Sequence, residues 1–313
     1  MSTLRDIVDK YFYSISDDNR LTNSAMLINL PSHKYFSLFR WYEKTIKTVL
    51  LSDDVDYVSG FGCFAGSILF ALNCGNTLKC TDELFRYSTL YILLDHYLDD
   101  PTIKESNKRR LIKNITKIFL HCPIDDLTDP RERDLVTSFN LILTKIPSAK
   151  ANLSLIFFNE IIGYRLQSNH GLTREEYLSM AINKGGHMLN AIESILKISP
   201  TPSAFDLGSC IQLDDDLRDV TVDIRDNINT IATHDLRADG NLDKLALYLG
   251  EKLHNLDENF IVFKVVLMGM LVHTVVVNTY FTEELRDSIE EYLVIDKRLT
   301  HELLMKIIRE EME

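Results

Sequence analysis

Apolar residues recur at steps of three and four through most of the chain, and this period constrains the fold more than any other feature. Tyr35, Leu38, Phe39, Tyr42, Ile46, Val49 and Leu50 follow it, as do Leu111, Ile112, Ile115, Ile118 and Phe119. Such spacing places apolar side chains on one face of a helix. Strict alternation is scarce, and hairpin turns flanked by alternating apolar residues are absent. Asp239-Gly240 is a turn, but helical patterns lie on both sides of it. The seven prolines, at 31, 101, 123, 130, 147, 200 and 202, fall at predicted helix boundaries. The pattern predicts about a dozen helices, at 3–15, 34–51, 60–73, 79–99, 105–121, 130–145, 149–168, 173–197, 203–226, 241–257, 260–280 and 283–312. No linker of domain type and no internal repeat divides them. The expectation is one all-α domain spanning 1–313.

Charge and cysteine usage narrow the function classes. The formal net charge is −12 and the sequence pI about 5.2, which disfavours nucleic acid as a partner because phosphate backbones are repelled. Five cysteines at irregular spacings form no CxxC pair, so neither a zinc site nor a disulfide framework is supported. A reducing, cytoplasmic setting is expected. The first residues carry charges throughout and lack an apolar signal core. The most apolar late stretch, 261–280, is broken by Lys264 and His273 and reads as a buried helix, not a membrane span.

The acid is concentrated in two runs. The first is Leu94-Asp95-His96-Tyr97-Leu98-Asp99-Asp100, followed by Pro101. Asp95 and Asp99 are four apart and share a helical face, near a C-terminus whose dipole disfavours anions. The second is Gln212-Leu213-Asp214-Asp215-Asp216-Leu217-Arg218-Asp219-Val220-Thr221-Val222-Asp223. Asp215, Asp219 and Asp223 step by four, and Asp216, Asp219 and Asp223 by three and four, so carboxylates line one stripe over about two turns. Each run alone also fits a solvated acidic face. Together in one helical chain they point to a cation site. The glycine and terminal glutamate of an EF-hand loop are missing. Hard oxygen ligands on rigid helices suit Mg²⁺, which commonly bridges to substrate phosphates. Departure of diphosphate from carbon leaves a highly charged anion, which Mg²⁺ held by two opposed helices can clamp. The organic half would become a carbocation, so the rest of the cavity should exclude water.

At these residues the chain resembles the class I isoprenoid synthases, the superfamily of prenyl diphosphate synthases, squalene and phytoene synthases and terpene cyclases. DHYLDDPTI is similar to the DxxxDD first motif of squalene synthases. IQLDDDLRDVTVD resembles the QxxDDxxD motif of geranylgeranyl diphosphate synthases through Gln212, Asp215, Asp216 and Asp219. It also resembles the squalene and phytoene synthase pattern through Gln212, Arg218, Asp219 and Asp223. EEYLSMAINKGGHML is similar to the EYLxMxxNKTGGLF stretch of geranylgeranyl diphosphate synthases, without its threonine. The resemblance covers about 80–235. It implies an all-α bundle whose Asp-rich helices face each other and bind three Mg²⁺. Asp95, Asp99, Asp100, Asp215, Asp216, Asp219 and Asp223 would be ligands, with Asp95, Asp99 and Asp219 at the catalytic centre. Lys184 would approach the diphosphate, with Gly185 and Gly186 making an adjacent helix break. Gln212, Arg218 and Arg165 are further substrate-binding candidates, and a homodimer is compatible with the resemblance.

Departures from the family patterns separate its subclasses. Chain-elongating enzymes carry a GKxxR element and a DDxxxxDxxRR motif that hold isopentenyl diphosphate. Here 60–67 reads GFGCFAGS, without Lys or Arg, and Arg109 and Arg110 lie too far on to match. Head-to-head condensation likewise needs a second anion held, and no GxGxxG fingerprint for a nucleotide reductant appears. A single-substrate reaction is the simplest reading: ionisation of farnesyl or, second, geranylgeranyl diphosphate, then cyclisation. Against it, Ala181 stands where microbial cyclases carry a sensor arginine after Tyr177-Leu178, and the C-terminal RY pair is missing. Arg165, Arg218 and Lys184 are the candidates to replace that arginine. A geranylgeranyl-type transferase, a squalene- or phytoene-type synthase and a non-catalytic partner subunit are the alternatives. Phe61, Phe64, Tyr87, Tyr91, Phe157 and Phe158 are expected in the core, His96 and His187 in packed roles, and Asn159-Glu160 as possible cavity residues.

Overall fold

The structure, a computed structural model, describes residues 3–9, 66–67, 70, 81–125, 127, 129–166 and 171–293. The described residues form an all-α bundle of about eleven helices without strands. Following a short turn of helix at 4–9, the principal elements are α1 (Asp82–Asp99), α2 (Glu105–Phe119), α3 (Pro130–Lys145), α4 (Lys150–Leu166), α5 (Arg174–Leu196), α6 (Pro202–Asp226), α7 (Ile231–Asp239), α8 (Asp243–Asn255), α9 (Ile261–Val277) and α10 (Glu283–Ile289). The predicted helices at 34–51 and most of 60–73, with Phe61 and Phe64, lie outside the described residues, as does 294–313.

Local chemistry sets the boundaries. Thr81, Thr173, Thr201 and Thr230 each cap a helix by accepting a backbone N–H three residues on. Thr173 and Glu176 complete a reciprocal capping box. Pro130 and Pro202 open α3 and α6, where a missing N–H costs nothing. Lys197, Asn227 and Gly240 end α5, α6 and α7 in the left-handed conformation that closes a helix. The helix at 231–239 has no counterpart among the predicted segments, although it is the helical pattern that precedes the Asp239-Gly240 turn, and Gly240 closes it.

Period 3.6 also selects the core. Tyr87, Leu94 and Leu98 of α1, Leu111 and Ile115 of α2, Leu135 and Phe139 of α3 and Phe157 of α4 are fully buried. Phe119, Phe139 and Phe157 meet with ring centroids 5.7–5.8 Å apart, a spacing suited to edge-on aromatic packing. Phe158, expected inside, is exposed, because it lies about 100° around the helix from buried Phe157. In α9, Lys264 is buried and donates to the carbonyls of His254 and Leu256 and to Glu258, which fits a core helix. No single described helix is long and apolar enough to cross a membrane.

The pairing of α5 with α6 is the most extensive in the bundle. A Cβ on Gly185 would collide with the carbonyl of Gly208, and one on Gly186 with the ring of Phe205. The helix break expected at these glycines does not occur: α5 runs unbroken through both. Their role is to let two backbones touch, which the missing side chains allow.

Candidate active site

The close contact of α5 and α6 places Lys184 beside the second acidic run, and α1 and α4 pack against α5. Between these helices lies a cavity of about 900 Å³. Its lining includes Asp95, Asp99 and Asp100 from the first run, and Gln212, Asp215, Asp216, Asp219 and Asp223 from the second. Lys184, Asn159 and Glu160 line it too. Two runs more than a hundred positions apart therefore share one space. Apolar side chains such as Ile162, Met180, Val222 and Ile231 contribute other parts of its wall.

Lys184 is central to the arrangement. Its Nζ donates to Asp95 Oδ1 at 2.6 Å and lies 3.3 Å from Glu160 Oε2. Burial alone would raise the Asp95 carboxyl, but the ammonium beside it holds that carboxyl below the ordinary range. Burial opposes the charge on Lys184, yet Asp95 and Glu160 keep it protonated far above the ordinary lysine range. Glu160 is pushed well up by burial, and Asp95 adds to that shift. Its Oε1 meets no donor.

The other carboxylates are under-compensated. Burial pushes Asp99 up to about 6, with Asp95 adding to it. Burial raises Asp216 to about 8 despite a 2.9 Å hydrogen bond from Gln212 Nε2. Asp223 rises to about 7 through burial, although Thr230 Oγ1 donates to it. Asp215 is raised by burial and by Asp219. Carboxyls that resist ionisation side by side form a site that a cation would relieve.

Basic groups nearby are mostly committed elsewhere. Arg218 spans Asp214 at 2.8 Å and Asp215 at 2.9 Å on its own helix, and it is not a lining residue. Arg165 is exposed on α4 and does not line the cavity. Arg225 lines it but binds Asp226 at 2.7 Å. Arg109 pairs with Glu105 and Arg110 with buried Glu132, and neither lines the cavity. Asp100 lies at the cavity edge, accepting from Thr102 and Arg131. His96 lines the cavity, whereas His187 packs edge-on against Phe205 with ring centroids 5.3 Å apart.

The C-terminus of α1, where the first run sits, is capped by Lys108, whose Nζ donates to the Leu98 carbonyl at 2.5 Å. This buried lysine answers the helix dipole at the end where carboxylates are least favoured. The sequence did not single it out. Its signal was only that a basic residue follows the helix within one turn of α2.

Mg²⁺ fits this donor set under one condition. Among the described residues, no three His, Cys, Asp or Glu side chains converge closely enough to hold an ion by themselves. Mg²⁺ is commonly held by one or two carboxylates plus substrate phosphates and water. The arrangement thus suits a cation that arrives with an anionic ligand. No family model, no curated protein and no solved structure matches the chain.

Proposed function

We propose that the chain is a Mg²⁺-dependent terpene synthase of the class I isoprenoid synthase type. It would ionise farnesyl or geranylgeranyl diphosphate, cyclise the carbocation and release diphosphate. The observation that carries this reading is the convergence of both acidic runs on one cavity with Lys184 between them. Asp95 and Asp99 on one side, and Asp215, Asp216, Asp219 and Asp223 on the other, would hold the ions. The ions would stabilise charge as it develops on the leaving diphosphate. Lys184 would meet the same anion, and Gln212 would orient Asp216. In this reading α1 and α6 are the facing Asp-rich helices of an isoprenoid synthase bundle.

Commitment of Arg109 to Glu105 and Arg110 to Glu132 supports a single diphosphate over two. A second buried diphosphate without counter-charge is strongly disfavoured. The test is product analysis with farnesyl or geranylgeranyl diphosphate and Mg²⁺, with and without isopentenyl diphosphate. A hydrocarbon or terpene alcohol, unchanged by isopentenyl diphosphate, is expected. A longer prenyl diphosphate would establish the transferase alternative. A hydrocarbon made from two prenyl units would establish the squalene-type one.

A further inference from the structure

We infer that Lys184 is a built-in counter-ion that couples the binding of a divalent cation to the binding of diphosphate. The inference rests on the diphosphate reading above and adds the means of coupling. Lys184 Nζ occupies Asp95 Oδ1 at 2.6 Å, where a metal ion on that oxygen would have to sit beside an ammonium. A cation arriving alone must either share the carboxylate with Lys184 or displace it. Displacement would leave the ammonium, only 20% exposed, with Glu160 alone beside it at 3.3 Å, a carboxyl whose burial resists ionisation. Diphosphate supplies the missing anion, so the exchange is favourable only when both ligands bind.

Glu160 makes the exchange local. Its Oε2 lies 3.3 Å from Lys184 Nζ on a third helix, and its side chain is 4% exposed against 28% for Asp95. Both carboxyls line the cavity, but Asp95 is the more accessible partner and Glu160 the more deeply buried one. When Asp95 turns to a metal ion, Glu160 keeps the ammonium at the cavity wall, within reach of the anion.

The experiment is calorimetric titration of the full chain with Mg²⁺ alone, inorganic diphosphate alone, and the two together. In the natural chain each should bind weakly alone and tightly with the other. In Lys184→Gln, Mg²⁺ alone should bind about fivefold or more tightly, and the gain conferred by diphosphate should shrink by a comparable factor, because coupling is reciprocal. In an Asp95→Asn background the same lysine change should leave Mg²⁺ affinity unaltered, which separates the contact from a diffuse charge effect. Lys184→Arg should retain the coupling. If Lys184→Gln does not fold, Glu160→Gln/Lys184→Gln removes the ammonium together with the buried carboxyl that faces it and is read the same way. Mg²⁺ affinity unchanged by loss of Lys184 would overturn the inference while leaving the diphosphate site intact. Absence of any joint binding in the natural chain would instead overturn the functional reading beneath it.

Discussion

Gly185 of α5 and Gly208 of α6 bring two helix backbones into direct contact, each blocking the space where the other's Cβ would stand. This contact sets the depth at which Lys184, one residue before Gly185, reaches into the cavity. It also fixes Gln212, one turn beyond Gly208, whose Cβ lies 2.7 Å from the same blocked space. Packing at the glycines and chemistry at the carboxylates are thus parts of one arrangement.

Gly185→Ala or Gly208→Ala should destabilise the protein by about 3 kcal/mol or more, at the upper end of overpacking effects, because the obstructing atoms are backbone. Gly269→Ala in α9 is the control. Nothing lies within 4 Å of its Cβ position, so the helix-favouring methyl should be neutral or stabilise by about 0.5–1 kcal/mol. Chemical denaturation of the three variants checks the contrast. Equal stabilities would mean that α5 and α6 do not approach this closely.

Asp95→Ala and Asp219→Ala should each abolish turnover of the prenyl diphosphate while the far-ultraviolet circular dichroism stays helical. In the proposed reaction each would remove an oxygen ligand from a site whose electrostatics would drive the chemistry. Retention of more than about a tenth of the activity at saturating Mg²⁺ would remove that residue from the ligand set. Asp219 is exposed, whereas Asp95 accepts from Lys184, which makes Asp219 the cleaner probe.

Much of the bundle was legible because its signals are local. Thr81, Thr173 and Thr201 announce helix starts through bonds spanning three residues, and the 3.6 period located the long helices. The helix at 231–239 is absent from the predicted segments because its helical pattern spans only nine residues, too few to delimit an element by period alone; Thr230 and Gly240 mark its ends. Arg218 reaching back to Asp214 and Asp215 is a spacing effect that sequence contains. The meaning of Gly185 was not legible, since its partner is in another helix. The same holds for Lys184, whose partner Asp95 lies 89 residues away. Both acidic stripes could be drawn on their helices, but only tertiary packing shows that they border one cavity.

The metal-free protein should lose stability as pH rises through the carboxylate window. Asp99, Asp223 and Asp216 titrate at about 6, 7 and 8 in the folded state, against an ordinary aspartate value of 3.8. At intermediate pH the folded state therefore holds protons that the unfolded state has released, and stability falls with rising pH. Burial of Asp95 is offset by Lys184 and its carboxyl is lowered, so its opposing contribution falls below 3.8, outside this window. Melting temperatures measured without metal should decline from about pH 5 to about pH 8, and Asp216→Asn should flatten the upper part of that decline. In the proposed function Mg²⁺ with diphosphate would require the ionised carboxylates and release their protons, so its stabilisation should grow across the same range. A metal-free melting temperature that rises steadily from pH 5 to 8, unaffected by Asp216→Asn, would show that these carboxyls are not held in the uncompensated cluster described.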